Sequence, residues 1–175
     1  FLSDTATALR STDAYSGLYC LRLESVINDE DTLFGYAVCD GNVIGGDIND
    51  TLQFSGGIPI SETPDSLIGY LKYEIPANDT GVVLISFKKD GKVFSQNLYP
   101  LLGSQTSYAR MGWEIPTPAK TPDNLIIAFA TSNPNNPKSG GWIQIDSLWF
   151  VGSSDSIPNA GFENWEEYTH QEPKF

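Results

Sequence analysis

Val82-Val83-Leu84-Ile85-Ser86-Phe87-Lys88-Lys89, then Asp90-Gly91, then Lys92-Val93-Phe94-Ser95-Gln96-Asn97-Leu98-Tyr99 reads as two β-type runs joined by a two-residue turn. Asp-Gly tolerates positive φ at both central positions of a tight hairpin, so the two runs are expected to pair antiparallel. The same texture continues in both directions. Runs at 5–10, 18–26, 34–40, 51–54, 67–75, 106–115, 124–131 and 141–151 read as further strands separated by turn residues. Leu21 and Leu23 alternate with Arg22 and Glu24, the period of a half-buried strand. Pro and Asn mark loops at 60–65, 116–122 and 133–137. No window holds a 3.6-residue apolar period, so long helices are not expected. The predicted fold is all-β: an antiparallel jelly-roll β-sandwich over residues 1–151.

Length and composition agree with this. The 175 residues are enough for one domain with its own core, and 16 Gly with 11 Pro suit a chain of many turns. With 22 Asp+Glu against 10 Lys+Arg the formal net charge is −12, which disfavours nucleic-acid partners, because phosphate contacts need a basic face. No stretch is apolar for the length of a membrane span, so no direct membrane insertion is expected. The sequence begins at Phe1 rather than Met, and the expectation is a processed fragment whose export signal lies upstream. Cys20 and Cys39 are open to two readings, one disulfide between neighbouring strands or two packed thiols. With no CxxC and a single histidine, His170, zinc is not expected.

A motif near the end stands out by its position. Gly161-Phe162-Glu163-Asn164-Trp165 resembles the first strand of galactose-binding-like jelly-roll modules, the architecture of many carbohydrate-binding modules of secreted bacterial proteins. Residues 11–17 followed by Leu18-Tyr19-Cys20-Leu21-Arg22-Leu23 look like their second motif. Gly141-Trp142-Ile143-Gln144-Ile145-Asp146 and the residues after it are similar to their closing strand. Leu67-Ile68-Gly69-Tyr70-Leu71-Lys72-Tyr73 resembles a strand of a subset tied to carbohydrate metabolism. In the family the Phe-Glu strand comes first, whereas here it comes last. Residues 152–160 therefore read as a linker. Residues 161–175 read as a strand completing the sandwich, its own or a neighbour's in a strand-swapped oligomer, or as the start of a following repeat.

The resemblance implies a structural calcium ion held by Asp146, Glu163 and the loop of Ser11 and Asp13, since Ca²⁺ takes six to eight hard oxygens. It also implies a sugar site, which needs exposed rings for stacking and polar groups for hydroxyls. Tyr108, Arg110, Trp113 and Trp142 are the candidates, with alternation placing Tyr108 and Arg110 on one face and Trp113 on the other. Core packing is the competing role for each ring. No Gly-x-Ser-x-Gly elbow or phosphate-cradling glycine pattern is present, and nothing marks two acids as an acid/base couple, so catalysis is not expected. Asp-Ser or Asp-Thr before an aliphatic or small residue recurs, as at Asp65-Ser66-Leu67. It resembles a bacterial O-glycosylation acceptor, but turn chemistry before strands accounts for it. The expected function is non-catalytic binding of a polysaccharide or oligosaccharide by a secreted, periplasmic or cell-surface bacterial protein, alongside other modules of the same polypeptide. The alternatives are a structural or adhesive spacer and an accessory domain of a glycoside hydrolase.

Overall fold

In the computed structural model, residues 7–166 are described, and among them fourteen strands and no helix are found. In chain order these are β1 (Ala8–Ser11), β2 (Cys20–Glu24), β3 (Val26–Asn28), β4 (Asp31–Leu33), β5 (Tyr36–Val38), β6 (Gly41–Gly45) and β7 (Gln53–Gly56). They continue with β8 (Ile58–Pro59), β9 (Ser66–Glu74), β10 (Gly81–Lys89), β11 (Lys92–Leu101), β12 (Ser104–Glu114), β13 (Asn124–Ala130) and β14 (Trp142–Val151). One sheet runs β1-β2-β14-β9-β12; the facing sheet runs β11-β10-β13-β5, with β8 also paired to β13. All these pairings are antiparallel. His170 and the ends of the chain, including the first residues of the run at 5–10 and residues 167–175 of the expected terminal strand, lie outside the described residues.

The hairpin that anchors the reading is present. Lys89 pairs with Lys92, and Asp90 and Gly91 take φ of 52° and 77°, the two positive values such a turn demands. From there β10 and β11 extend away, and alternation sends Val83, Ile85 and Phe87 into the space between the sheets. Leu21, Leu23, Leu67, Leu71, Ile143 and Ile145 meet them from the other side. Each fully buried side chain of this size contributes about 1.5–3 kcal/mol, so this interface holds the two layers together.

The second face of β10 and β13 is also covered. Leu84, Ile126 and Phe54 form a smaller buried cluster under the β6–β7 hairpin, giving a third layer on that side. Strand β7 falls on the run read at 51–54, whereas β6, the β3–β4 hairpin and β8 have no counterpart in the sequence reading. The run at 18–26 is also interrupted: at Ser25 the chain leaves the sheet, its N–H donating to Gly141 O at 2.7 Å and its Oγ lying 2.6 Å from Thr131 Oγ1.

The C-terminal segment needs a correction. Residues 161–165 form no strand. Asn159 and Phe162 hold φ of 48° and 54°, which an extended run cannot include, and the segment folds into a turn instead. Asn159 closes that turn with its side chain, accepting from Asn164 N at 3.0 Å and donating to Asn164 O at 2.9 Å. The turn nevertheless lies against its own sandwich. Leu148 N donates to Ala160 O at 2.9 Å, and Ala160, Phe162 and Trp165 pack on the main core. Residues 152–160, expected as a linker, are tied down as well: Ile157 is buried in the core, and Asp155 accepts from Ser61 N and Glu62 N.

Candidate functional site

The outer face of the β1-β2-β14-β9-β12 sheet carries alternate residues that sequence and register place in rows. Cross-strand partners share a face. Arg22, Gln144 and Lys72 stand side by side on β2, β14 and β9; Asp146, Tyr70 and Arg110 form the next row on β14, β9 and β12; Trp149, Ile68 and Gly112 form the third. Trp142 stands beyond the first row, between Glu24 and Glu74. Leu67, Leu71, Ile143 and Ile145 occupy the opposite parity and fill the core, which forces this polar and aromatic set outward.

A loop before β2 crosses this face. Its Tyr15, 47% exposed, stacks on Tyr70 with ring centroids 3.5 Å apart and meets Tyr108 edge-on at 5.9 Å. The exposed Asp13 in the same loop pairs with the buried Lys72 ammonium, and Tyr108 donates from its hydroxyl to Asp13 O at 2.8 Å. Guanidinium groups lie over two indoles: Arg22 over Trp142 at 4.7 Å and Arg110 over Trp149 at 5.7 Å. Tyr70 and Trp149 are themselves 6.0 Å apart. Beyond Trp149, a shallow cleft lined by Asp65, Ser66, Ile68, Gly112, Glu114 and Pro116 continues the face. Gly112 opens that cleft: a Cβ there would stand 2.8 Å from Ile68 Cδ1.

Of the four expected sugar contacts, Tyr108, Arg110 and Trp142 are on this face. Trp113 is not. It is 5% exposed, points into the core and meets Phe129 edge-on at 6.3 Å, because β12 residues of its parity face the opposite sheet. Tyr108 is on the face but committed, with its hydroxyl proton held well above the usual phenol range by burial first, then by the Cys20 thiol and the nearby Asp146 and Asp13. Tyr15, Tyr70 and Trp149 are the rings the sequence reading passed over. The alternation Ile68-Tyr70-Lys72 against Leu67-Gly69-Leu71 marks Tyr70, whereas Trp149 is hidden by a bulge between Asp146 and Trp149. Cys20 and Cys39 are separate thiols, and burial, with Asp40 nearby, pushes the Cys39 thiol up to about 11.

No protein-family model matches the chain, and no curated protein does. A solved structure described as "Family 16 Carbohydrate Binding Module-2" is similar over 83% of this chain and 85% of that one, at 13% identity and a TM-score of 0.44. A likeness of that size leaves function to be read from the residues themselves.

The residues expected to hold calcium converge on the loop before β2, but what faces their oxygens is a set of donors. Asp146, fully buried, accepts at Oδ2 from Tyr15 N at 2.8 Å and Ser16 N at 2.9 Å. Glu163 accepts from Leu18 N at 3.0 Å and Tyr19 N at 3.3 Å. Ser11 Oγ accepts from Asp13 N and Gln144 Nε2, and the Asp13 carboxylate is paired with Lys72. A calcium shell needs oxygens around the ion; N–H groups and an ammonium occupy those directions here. In this geometry the set fits a carboxylate clamp on backbone N–H groups, a charge-assisted arrangement, and does not fit a cation cage. Among the described residues no cluster of three or more acids, His or Cys has metal-binding geometry.

Proposed function

We propose that this chain is a non-catalytic carbohydrate-binding module whose ligand surface is the outer face of the β1-β2-β14-β9-β12 sheet. One observation carries the reading: the exposed Tyr15 and the half-buried Tyr70, Trp149 and Trp142 stand together on one sheet face, interleaved with Arg110, Arg22 and the polar rim of the adjoining cleft. Aromatic faces take the C–H surface of a pyranose ring, while Asp65, Ser66, Glu114 and Arg110 offer acceptors and donors to hydroxyls. The host in this reading is a secreted or cell-surface bacterial protein with other modules in the same polypeptide.

Affinity electrophoresis through gels containing xylan, β-glucan or pectin tests it. The wild-type chain is retarded by at least one, and Trp149→Ala or Trp142→Ala loses that retardation while melting as a folded domain. A second reading, a spacer with no ligand, is supported by the two guanidinium groups that already lie over Trp142 and Trp149. Absence of retardation in all gels, together with a blank glycan array, would decide for the spacer.

A further inference from the structure

The loop that brings Tyr15 onto the sheet has no strand of its own between β1 and β2, and its backbone is held from two distant points of the chain. Asp146, on β14, takes the N–H groups of Tyr15 and Ser16. Glu163, in the C-terminal turn, takes those of Leu18 and Tyr19, with both carboxylate oxygens on Leu18 at 3.0 and 3.2 Å. Gly17, between the two grips, has φ of +71°, and a Cβ on it would collide with Glu163 Oε1. The fit of Glu163 over a bare glycine is close. Ser16 Oγ adds a third tie, 2.9 Å from Ser147 Oγ at the β14 bulge.

The turn that presents Glu163 is built to be stiff. Asn159 spans it with two side-chain hydrogen bonds, Phe162 N donates to Asn159 O at 2.8 Å, Trp165 Nε1 donates to Phe162 O, and Phe162 and Trp165 rest on the core. Asp146 sits under the loop and is buried, so its removal would disturb folding. Glu163 sits outside and is exposed, so its removal need not.

We infer that Glu163 is a positioning residue for the ligand face: the C-terminal turn is a latch that sets the loop of residues 13–19 and thereby holds Tyr15 stacked on Tyr70. This rests on the carbohydrate-binding reading only for what the positioned ring does, since the latch itself is testable without any sugar. Its consequence is that a segment distant in sequence governs the shape of the aromatic row. Whatever displaces residues 159–165 releases Tyr15.

The test uses amide exchange and ring-proton chemical shifts of the full chain, with Glu163→Gln, Gly17→Ala and the double variant. In the wild type, Tyr15 ring protons are shifted upfield by the Tyr70 ring. Either single variant is expected to move them towards free-tyrosine values and to speed exchange at Leu18 and Tyr19 by about tenfold, the loss of a hydrogen bond to a charged group. The double variant is expected to add little, because both changes break one contact. Unchanged Tyr15 shifts in Glu163→Gln would overturn the inference, as would fully additive effects. The polysaccharide that retards the wild type most then gives the second arm: Glu163→Gln weakens retardation severalfold. If Trp149→Ala abolishes retardation and Glu163→Gln leaves it unchanged, the latch fails and the sugar face stands. If no gel retards the wild type but the ring shifts behave as expected, the sugar reading fails and the latch stands.

Discussion

The two sheets of the sandwich treat their outer faces in opposite ways. Behind β10 and β13, Leu84 and Ile126 are apolar at positions that alternation would leave to solvent, and the chain adds the β6–β7 hairpin and Phe54 to cover them. Behind β14 and β9, the corresponding positions are Gln144, Asp146, Tyr70 and Lys72, and among the described residues the loop of residues 13–19 crosses them. One face is covered in part by a third layer, which buries Leu84 and Ile126 and leaves an apolar cavity lined by Tyr36, Val43, Phe54 and Val82. The other is crossed by a loop that buries Gln144, Asp146 and Lys72 and leaves Tyr70, Trp142 and Trp149 half-buried, with Tyr15 exposed above them. The proposed ligand surface rests on the second face, where rings stand beside charged and hydrogen-bonding groups.

The largest expected effect is on the covered face. Phe54→Ala should destabilise the domain by about 3–5 kcal/mol in urea denaturation, as for other buried Phe truncations. A cost below about 1 kcal/mol would mean that the hairpin is a loose flap and that the two faces are alike. Trp113 and Trp149 sharpen the contrast within one strand neighbourhood. Trp113→Ala should cost a similar 3–5 kcal/mol, whereas Trp149→Ala should cost about 1 kcal/mol, the scale of its lost cation–π contact, and should act on binding instead. Equal losses of stability in the two variants would break the assignment of faces. Calcium gives a further expectation: because donors surround Asp146 and Glu163, millimolar Ca²⁺ after EDTA treatment should leave the melting temperature unchanged. A rise of several degrees would show that the loop rearranges to present its oxygens.

The smallest effect concerns Asp155, at the end of the sandwich. Burial raises its pKa, but the N–H groups of Glu62 and Ser61 and the hydroxyls of Ser61 and Ser153 outweigh this and hold it below the usual carboxylate range. A depressed folded pKa contributes stability above the unfolded pKa, and that contribution is lost as pH falls through the folded value. Asp155→Asn should therefore melt slightly below the wild type at pH 7, and the gap should close towards pH 3. A gap independent of pH would assign the effect to packing.

Much of the fold was legible because its strands obey simple rules. The Asp90-Gly91 turn and the β10–β11 pairing follow from one dipeptide, and Leu21 and Leu23 announce their buried face. Strand β6 of the β6–β7 hairpin escaped because Asn42-Val43-Ile44-Gly45-Gly46 has neither clear alternation nor a turn dipeptide; tertiary burial of Phe54 on β7 holds the hairpin in place. Residues 161–165 carried a strand-like motif, yet Asn159 and Phe162 adopt positive φ to dock the turn, and this is a tertiary demand that no local pattern reveals. For the site, Tyr108, Arg110 and Trp142 could be placed by alternation alone. Alternation also set Trp113 on the other face of β12, and core shape decides that this is the inward one; Trp149 could not be placed, since one β-bulge near Ser147 decides which parity of β14 faces out. The convergence of Asp146 and Glu163 on one loop was anticipated from resemblance; that their partners are N–H groups depends on three-dimensional approach.

The most direct test of the proposed ligand face is a chemical-shift titration of the isotope-labelled chain with oligosaccharide fragments of whichever polysaccharide retards it most. Perturbations should concentrate on Tyr15, Tyr70, Arg110, Trp142 and Trp149 and on the cleft residues Ser66 and Glu114, with the β6–β7 hairpin silent. Perturbations confined to Tyr36, Val43 and the covered face of β10 and β13, with the five aromatic and arginine positions unmoved, would contradict the account.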